Sequence, residues 1–299
     1  MRVLVTGGTG LVGSNVVKSL MQDGHDVLMT GSDAEQKTAG FTGKYLQPSL
    51  IGIDWDALGH LDVVCHQAAI NDTQNMDERE MMLGNVTAPR ALFEYALKNG
   101  CKRFVYASST AIYGDGPAPY TEDQELRPLN PYARSKVAFE KVAAELAHAH
   151  PDAIFVGLRY CNIYGPGESH KGIRATMIYQ LAQQMQKGNP RIFKDGEQKR
   201  DYIYVKDVVT ANLAAMNAKA SVVVNCGSGK ATTFNQLVAI LNRTLGTSRV
   251  PEYIDNPIID RYQSYTECDM SRAKEAIGFV PVFDIEKGIA DYTREGLLV

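Results

Sequence analysis

Close to its N-terminus the sequence reads Val3-Leu4-Val5-Thr6-Gly7-Gly8-Thr9-Gly10-Leu11-Val12-Gly13. The first four residues predict a short buried strand, and the pattern from Leu11 to about residue 21 predicts an amphipathic helix. Between them, Gly7 would allow a tight turn, Gly10 the close approach of a ligand, and Gly13 close packing of the helix on the strand. A strand, a glycine turn and a helix form the first half of a βαβ unit that can bind a pyrophosphate at the helix N-terminus. This stretch therefore predicts a dinucleotide-binding fold.

The alternation of strands and helices continues through the first half of the chain. We predict strands at 26–30, 62–66, 103–107 and 154–158, a short helix near 54–58, and long helices over 77–98 and 131–150. This alternation predicts an α/β fold with a Rossmann-type, doubly wound parallel sheet. Residues 1–165 would form the dinucleotide-binding core.

Beyond Arg159 the clean alternation breaks down. We predict a long irregular loop over 159–172, helices over 173–187, 206–219, 232–245, 271–277 and 285–295, and strands at 191–193, 201–205, 222–226 and 252–254. Long loops in compact domains are usually functional. Residues 166–299 would form mainly a smaller C-terminal substrate-binding lobe, with segments that return to the core.

Composition excludes several classes of protein. The 299 residues carry a net charge of −3, which argues against a bulk nucleic-acid binder. No apolar run approaches the length of about 18 residues that a membrane helix needs, and the N-terminal residues predict a strand rather than a signal peptide. The five cysteines are isolated, without a CxxC pair, so we expect reduced, mostly buried thiols and no metal site. We expect a cytoplasmic protein.

The end of the second predicted strand bears on the choice between NAD and NADP, because an acid there would hold the ribose 2′-hydroxyl. The tip reads Thr30-Gly31-Ser32-Asp33, so the acid is absent from the usual place, although Asp33 lies two residues on. Small hydroxyl residues with Lys37 nearby could instead accept a 2′-phosphate. The sequence weakly favours NADP over NAD.

A candidate catalytic pair lies in Asn130-Pro131-Tyr132-Ala133-Arg134-Ser135-Lys136. Asn130 suits an N-cap and Pro131 the first helical position, so Tyr132 and Lys136 would lie on one helix face, one turn apart. A phenol with a pKa of about 10 is a poor base, but the lysine cation and a nicotinamide cation would lower that pKa. Such a base could take a hydroxyl proton while hydride leaves the same carbon. The alternative is a Tyr and a Lys side by side on a surface helix.

Other residues at predicted strand ends complete the candidate site. Ser109 would place a hydroxyl at the carboxyl end of a strand, where ligands bind in open α/β sheets. The small residues Ala68 and Ala69 follow Gln67 and would let a cofactor lie against a strand end. Asn85 would orient backbone near the site or cap a local kink. We expect His66 to be a packed structural histidine.

Together these motifs resemble the extended short-chain dehydrogenase/reductase family, which includes nucleotide-sugar epimerases and dehydratases. The resemblance covers essentially the whole chain. Two further runs are typical of that family: Arg159-Tyr160-Cys161-Asn162-Ile163-Tyr164-Gly165-Pro166 and Lys199-Arg200-Asp201-Tyr202-Ile203-Tyr204-Val205-Lys206-Asp207-Val208.

The resemblance implies roles by position. Catalysis would fall to Ser109, Tyr132, Lys136 and Lys171. The cofactor pyrophosphate would contact Gly7, Gly10, Leu11 and Gly13, and the adenosine ribose would contact Gly31 and Ser32. The nicotinamide side of the cofactor would be lined by Gln67, Ala68, Ala69 and Asn85. Tyr132 and Lys136 would bind the nicotinamide ribose. The substrate would contact Asn162 and Arg200 through its diphosphate, and Phe193, Ile173 and Tyr262 through its base and sugar. Arg200 could instead form a surface salt bridge with Asp201 or Asp207.

Downstream residues sort the chain within the family. Related 4,6-dehydratases carry an Asp-Glu pair after the catalytic hydroxyl, whereas Thr110-Ala111 stands here. The runs His170-Lys171-Gly172, Arg191-Ile192-Phe193 and Arg261-Tyr262-Gln263 are similar to ADP-glycero-manno-heptose 6-epimerases, whose members use a lysine here as a second base. Lys171 could instead meet a phosphate or solvent. The missing second-strand acid, and Gln180 where that subfamily often has a histidine, are departures from its pattern.

The resemblance therefore implies an isomerase, an NAD(P)-dependent nucleotide-sugar epimerase that oxidises its substrate transiently and returns hydride to the other face of the keto-sugar. The expected partner is a nucleotide-diphosphate sugar, first of all ADP-heptose, and we expect a homodimer or larger homo-oligomer. The alternatives are a UDP-hexose 4-epimerase, an NADPH-dependent nucleotide-sugar reductase or dehydrogenase, and a non-catalytic cofactor-binding scaffold.

Overall fold

The structure, a computed structural model, describes residues 1–31, 41–46, 50, 55, 58–257 and 263–298, and only the backbone of residues 170, 173 and 174. The predicted roles of Ser32, Lys37 and Tyr262, and that of the Ile173 side chain, lie outside the described part of the chain. So does most of the short helix predicted near 54–58.

Twelve strands are present in the described residues. They are β1 Arg2–Thr6, β2 Asp26–Thr30, β3 Lys44–Leu46, β4 Val63–His66, β5 Arg103–Ser109, β6 Ile154–Tyr160, β7 Asn162–Tyr164, β8 Arg191–Phe193, β9 Lys199–Tyr204, β10 Val222–Cys226, β11 Ala231–Thr233 and β12 Glu252–Ile254. Seven of them form one sheet in the order β10-β6-β5-β4-β1-β2-β3, and all six pairings are parallel. The order 3-2-1-4-5-6 is that of the doubly wound Rossmann fold, so the predicted fold class is confirmed.

Helices pack on both faces of this sheet, and others belong to the C-terminal lobe. The helices of the described residues are α1 Leu11–Gln22, α2 Glu78–Met82, α3 Ala88–Lys98, α4 Pro131–Ala149, α5 Met177–Lys187, α6 Val205–Met216, α7 Phe234–Leu245, α8 Ser271–Ile277 and α9 Ile285–Arg294. Because strand side chains alternate between faces, Val3 and Val5 pack with α1 and α6, whereas Leu4 packs with α3 and α4. Strand β1 is thus buried on both sides at the centre of the core.

A third apolar cluster lies in the second half of the chain. It joins α5, α7 and α9 to strands β7, β8 and β9 around buried side chains such as Leu181, Tyr204, Leu237 and Ile289. Small sheets β11-β9-β7 and β12-β8 complete this C-terminal lobe. Strand β10 and helix α6 return to the large sheet, while the boundary near residue 165 stays a prediction.

Two segments differ from the sequence-based expectation. The helix predicted over 77–98 is interrupted by a π-helical turn, Leu83–Thr87, between α2 and α3. The predicted irregular loop 159–172 instead holds the end of β6, strand β7 and a 3₁₀ segment, Ser169–Arg174. Pairing of β7 with β9 orders this segment, and that partner is distant in the sequence.

No helix in the described part of the chain has both the length and the apolar character that a membrane span requires. All five cysteines are buried and free, as expected from their isolated positions.

Candidate active site

The glycine turn lies where the order of the sheet reverses, between β1 and β4, which is where ligands bind in this fold. Gly7 has a φ of +66°, and a Cβ there would lie 2.7 Å from the Ala68 nitrogen. A Cβ on Gly13 would lie 2.1 Å from the Gly7 carbonyl oxygen. The predicted tight turn and the close packing of helix on strand are therefore confirmed.

The N-terminus of α1 fits a pyrophosphate. Gly10 is the N-cap residue, and no side chain caps the helix there. A Cβ on Gly10 would meet only the Gly7 oxygen, at 3.3 Å, so this is the open side of the turn. The first N–H groups of a helix lack intrahelical acceptors and attract anions. The Leu11 side chain packs into the lobe, so its predicted cofactor contact falls to its backbone N–H.

The end of β2 is packed against this turn. A Cβ on Gly31 would lie 2.5 Å from the Thr9 side chain. The Gly8 N–H donates to the Thr30 carbonyl at 2.7 Å. Only a glycine fits at position 31 without a shift of Thr9. This geometry is compatible with the predicted adenosine-ribose site.

Helix α4 begins as the sequence predicts. The Asn130 side chain caps it by accepting the Ala133 N–H at 2.9 Å, and Pro131 occupies the first helical position. The Tyr132 phenol hydrogen-bonds with the Ser109 hydroxyl, which also accepts the Ala111 N–H at 3.2 Å. The hydroxyl at the end of β5 and the phenol at the start of α4 therefore converge at the carboxyl edge of the sheet.

Lys136 lies one turn beyond Tyr132 on the same face of α4. Its Nζ donates to the Ala107 carbonyl at 2.9 Å and lies 5.8 Å from the centre of the Tyr132 ring. Burial lowers the pKa of Lys136 to about 8, opposed by the charge of Glu140. With this pKa the side chain is still mostly an ammonium ion at neutral pH.

The pKa of Tyr132 differs from the expectation. Burial raises the pKa of the phenol, and the hydrogen bond from Ser109 only partly opposes this. The sequence argument expected Lys136 and a nicotinamide cation together to lower this pKa. In the protein alone, desolvation is the largest influence on this pKa, and the Lys136 ammonium donates to the Ala107 carbonyl.

Two residues predicted on the nicotinamide side have structural side-chain contacts. Gln67 donates to the Asn212 Oδ1 at 2.8 Å and accepts from the Tyr160 hydroxyl at 3.0 Å. Buried Asn85 accepts the Ile70 N–H at 2.8 Å and donates to the Ile70 carbonyl at 2.9 Å. Asn85 therefore orients backbone, one of its two predicted roles. Any cofactor contact in this segment would come from the half-buried residues 68–70 rather than from these amides.

His66 is a packed structural histidine, as expected. It is 1% exposed and hydrogen-bonds with the Thr6 hydroxyl at 2.7 Å. Burial, and then the charge of Lys136, lowers the pKa of His66 to about 3. The ring is neutral at physiological pH.

On the substrate side, the Asn162 amide has contacts within the protein, and its predicted role at the diphosphate stays a prediction. Its amide nitrogen donates to the Asp201 carbonyl at 2.8 Å and to the Thr266 hydroxyl at 3.4 Å. The amide nitrogen of Asn162, which was predicted to bind a diphosphate, therefore donates hydrogen bonds to residues of the lobe. The long sequence separation of these partners kept them out of reach of the sequence argument.

Arg200 lies on β9 and donates to the Lys199 carbonyl at 2.9 Å. The two carboxylates proposed as alternative partners are held by backbone N–H groups. Asp201 accepts those of Ser228, Gly229 and Cys268, and Asp207 those of Val282 and Phe283. Neither carboxylate depends on Arg200.

Phe193, at the end of β8, lines a cavity of about 560 Å³. Polar side chains of the lobe, including Gln198, Lys199 and Ser264, share its wall. A cavity of this size with a few polar groups is typical of small-molecule sites. Phe193 therefore lies where a part of the substrate could bind.

Lys171 lies in the 3₁₀ segment and is half-buried. Burial lowers the pKa of Lys171, and the charge of Glu168 opposes this. Fully buried Glu168 accepts the Gly165 N–H at 3.1 Å and the Thr176 N–H at 2.7 Å, which closes the segment on itself. The sequence argument missed this carboxylate, which carries no motif.

One cluster of three buried side chains has the residue types that bind metal ions in proteins. The side-chain donor atoms of Cys161, Asp201 and Cys268 lie within 4.8 Å of one another. Both carboxylate oxygens of Asp201 accept hydrogen bonds, from Ser228, Gly229 and Cys268. The cluster therefore has a structural explanation, in which Asp201 orders the turn after β10.

The family model described as the NAD dependent epimerase/dehydratase family matches residues 3–227. This chain belongs to the NAD-dependent epimerase/dehydratase family.

Similar proteins are nucleotide-sugar enzymes of this family. The ADP-L-glycero-D-manno-heptose-6-epimerase of Alkalilimnicola ehrlichii is 36% identical over 97% of this chain and 96% of its own. The crystal structure of the same enzyme from Helicobacter pylori has a TM-score of 0.89 at 32% identity, covering 98% of this chain and 95% of that one. The UDP-glucose 4-epimerase of Thermotoga maritima, solved with UDP-glucose, has a TM-score of 0.90 at 30% identity, covering 99% and 100%.

These matches confirm the resemblance given by the sequence motifs and the expectation of an isomerase of the epimerase type. The glycine turn is present, and the Ser109, Tyr132 and Lys136 side chains lie close to one another. One carboxylate beside Lys136 that sequence reasoning missed is Glu140, one turn further along α4. Its four-residue spacing from Lys136 was the available signal.

Proposed function

We propose that this chain inverts the exocyclic C6 carbon of ADP-glycero-manno-heptose by transient oxidation to a keto-sugar and return of hydride to the other face. The observation that carries the chemistry is the Ser109–Tyr132 hydrogen bond above Lys136, at the carboxyl edge of the sheet. Similarity over almost the full length to heptose 6-epimerases supports the choice of sugar.

In this proposal, Tyr132 accepts the proton of the substrate hydroxyl and later returns it. The Ser109 hydroxyl hydrogen-bonds with the phenol and would orient the same substrate oxygen. A bound nicotinamide would take up the hydride from the carbinol and give it back, so the reaction has no net redox change. The raised pKa of Tyr132 keeps the phenol protonated until charges in the filled site favour its ionisation.

The cofactor would be held by the open turn at Gly10, by the N-terminus of α1 and by residues 68–70. We infer NAD rather than NADP, because the family is described as NAD-dependent. The sequence at Ser32 and Lys37 weakly favoured NADP, and mass spectrometry of the cofactor that copurifies with the chain decides between the two.

Lys171 would act as the second base. Rotation of an exocyclic ketone presents its other face to the returning hydride, and a base on each side then serves the two epimers. The lowered pKa of Lys171 supports this role because it increases the neutral fraction of the amine. In a 4-epimerase one tyrosine would serve both directions, and the whole ketopyranose would have to turn over.

Substrate binding would involve the lobe. Arg200 would bind the diphosphate, since a planar guanidinium suits two phosphate oxygens. Phe193 and Tyr262, with Ile173, would surround the base and sugar. A homodimer or larger homo-oligomer and a cytoplasmic location stay predictions.

The test is an assay of the purified chain with ADP-heptose and UDP-galactose side by side, without added reductant. We expect equilibration of the C6 epimers of ADP-heptose only. Turnover of UDP-galactose alone would favour the second candidate, a UDP-hexose 4-epimerase, which the likeness to the Thermotoga maritima enzyme supports. Turnover that requires stoichiometric NADPH would identify a reductase, and failure with every substrate would favour a scaffold.

A further inference from the structure

A buried ion pair lies one turn beyond Lys136, on the same face of α4. The Arg159 guanidinium contacts the Glu140 carboxylate through two hydrogen bonds, of 2.7 and 3.0 Å, and the two side chains are 6% and 9% exposed. Desolvation of two charges costs about as much as their attraction returns, so such a pair adds little net stability compared with apolar side chains. The contacts of this pair indicate a different role.

Helix α4 is attached to the end of β5 by three side chains on one face. Tyr132, Lys136 and Glu140 lie four residues apart. The phenol bonds to the last residue of β5, the ammonium to the Ala107 carbonyl, and the Glu140 carboxylate accepts the hydroxyl proton of Ser108. Three consecutive strand residues are thus held by three consecutive turns of the helix.

Arg159 fixes the outermost of these three contacts. It lies on β6, directly opposite Ser108 in the parallel register. Its Nη1 atom also donates to the Tyr113 hydroxyl at 2.9 Å and to the Glu122 carbonyl at 3.2 Å. Glu140 is therefore held against β5 by a guanidinium that is itself held by two further acceptors, the Tyr113 hydroxyl and the Glu122 carbonyl.

Glu140 is also the anion that supports the Lys136 ammonium. Its charge opposes the lowering of the Lys136 pKa by burial. The other titratable groups around the ammonium are Tyr132 on α4, a protonated phenol, and His66 on β4, a neutral ring. Arg159 lies beyond Glu140 on β6. Neutralising Glu140 would leave both the Arg159 guanidinium and the Lys136 ammonium buried without this carboxylate.

We propose that Glu140, fixed by Arg159, is a positioning residue that sets the approach of Tyr132 to Ser109 and keeps Lys136 as an ammonium ion. The kinetic consequence rests on the proposed function, whereas the titration of Lys136 does not.

The first test is NMR titration of the full chain containing isotope-labelled lysine, with the Lys136 signal assigned by its loss in Lys136→Met. In Glu140→Gln we expect the midpoint of Lys136 to fall by on the order of one pH unit. The matched control is Glu145→Gln, on the same helix with a 68% exposed side chain, in which the midpoint should not move. An unchanged midpoint in folded Glu140→Gln overturns the proposal.

The second test measures kinetics. Glu140→Gln should lower kcat by about tenfold or more with KM little changed, and shift the alkaline limb of the kcat profile to lower pH. Glu140→Asp, which keeps the charge, should restore the alkaline limb to its wild-type position.

Because Glu140→Gln could fail to fold, the double variant Glu140→Met/Arg159→Met replaces the pair with apolar side chains. If that variant folds and has the wild-type kcat and the wild-type alkaline limb of the kcat profile, the proposal is overturned. A rise in KM with no change in kcat overturns it as well. If the wild-type chain turns over no nucleotide sugar, the proposed function fails, while the titration still decides the positioning role.

Discussion

At the residue scale, the Tyr132 phenol is the group on which the chemistry depends. Its bond with Ser109 and its position one turn before Lys136 place it at the end of β5. Tyr132→Phe removes the proton acceptor but keeps the ring, so kcat should fall by about 10²–10⁴-fold while the cofactor stays bound. Steady-state kinetics and the copurified cofactor measure both effects.

The matched control is Tyr253→Phe. Tyr253 is 47% exposed on the lobe, and its hydroxyl contacts Asn235. It should keep wild-type turnover. If Tyr132→Phe also turned over at nearly the wild-type rate, Tyr132 would have no part in the mechanism.

Substitution of Lys171 distinguishes a mechanism with two bases from a mechanism with one base. Lys171→Ala should abolish inversion, yet the epimer that presents its hydroxyl to Tyr132 should still reduce the bound cofactor. Stopped-flow absorbance in the band of reduced nicotinamide, recorded with each epimer separately, measures this asymmetry. Exposed Lys187, changed to alanine, is the control. Equal loss of both half-reactions would mean that Lys171 binds substrate rather than acting as a base.

Lys136 makes stability depend on pH in a predictable direction. Its pKa is lowered from 10.5 to about 8, so between these values the unfolded chain binds more protons than the folded one. Stability therefore rises with pH across this window and is lost as pH falls through about 8. Relative to Lys136→Met, the wild type should gain up to roughly 3 kcal/mol in free energy of unfolding between these pH values. Urea denaturation of both proteins measures the difference, and a constant difference would contradict the buried ammonium.

At the element scale, the glycine turn depends on the close approach of Gly13 to the Gly7 carbonyl, which leaves no room for a side chain on residue 13. Gly13→Ala would place a Cβ 2.1 Å from the Gly7 carbonyl, which should lower the free energy of unfolding by about 1–3 kcal/mol and release the cofactor. The control is Gly188→Ala, because Gly188 is extended, with a φ of 174°, and nothing lies within 4 Å of its Cβ position. Thermal unfolding and bound-cofactor analysis measure both variants. Retention of the cofactor by a folded Gly13→Ala protein would contradict the role of the turn.

Long elements with clear periodicity were predictable from the sequence. The strand Asp26–Thr30 has the predicted bounds, and helix α4 begins with the predicted cap. The three-residue strands β3 and β7 were missed, whereas β8 and β12, of the same length, have the predicted bounds. The π turn at Leu83–Thr87 was also missed, because its five residues are too few to show a period of their own.

The candidate site was predictable in its local parts and not in its distant ones. Tyr132 and Lys136 were found because they share one helix face. The partners of Gln67 and Asn162 lie far away in the sequence, so the hydrogen bonds that engage their amides could not be foreseen. Glu140 and Arg159 likewise meet only through the register of β5 and β6 with α4.

At the scale of the whole molecule, the proposed bases come from different parts of the chain. Tyr132 belongs to the parallel-sheet core, whereas Lys171 belongs to the segment that leads from β7 into the lobe. The lobe also carries Arg200 and the cavity beside Phe193. A substrate that spans these regions would meet its redox partner in the core and its nucleotide site in the lobe.

The central claim is that the reacting carbon exchanges hydride, and not a proton, with its surroundings. Epimerisation of ADP-heptose that carries deuterium at C6, followed by mass spectrometry and NMR, tests this claim directly. Both epimers should keep the deuterium at C6 after equilibration. Its replacement by hydrogen from the solvent would show that the carbon is inverted by proton abstraction, and would rule out hydride transfer.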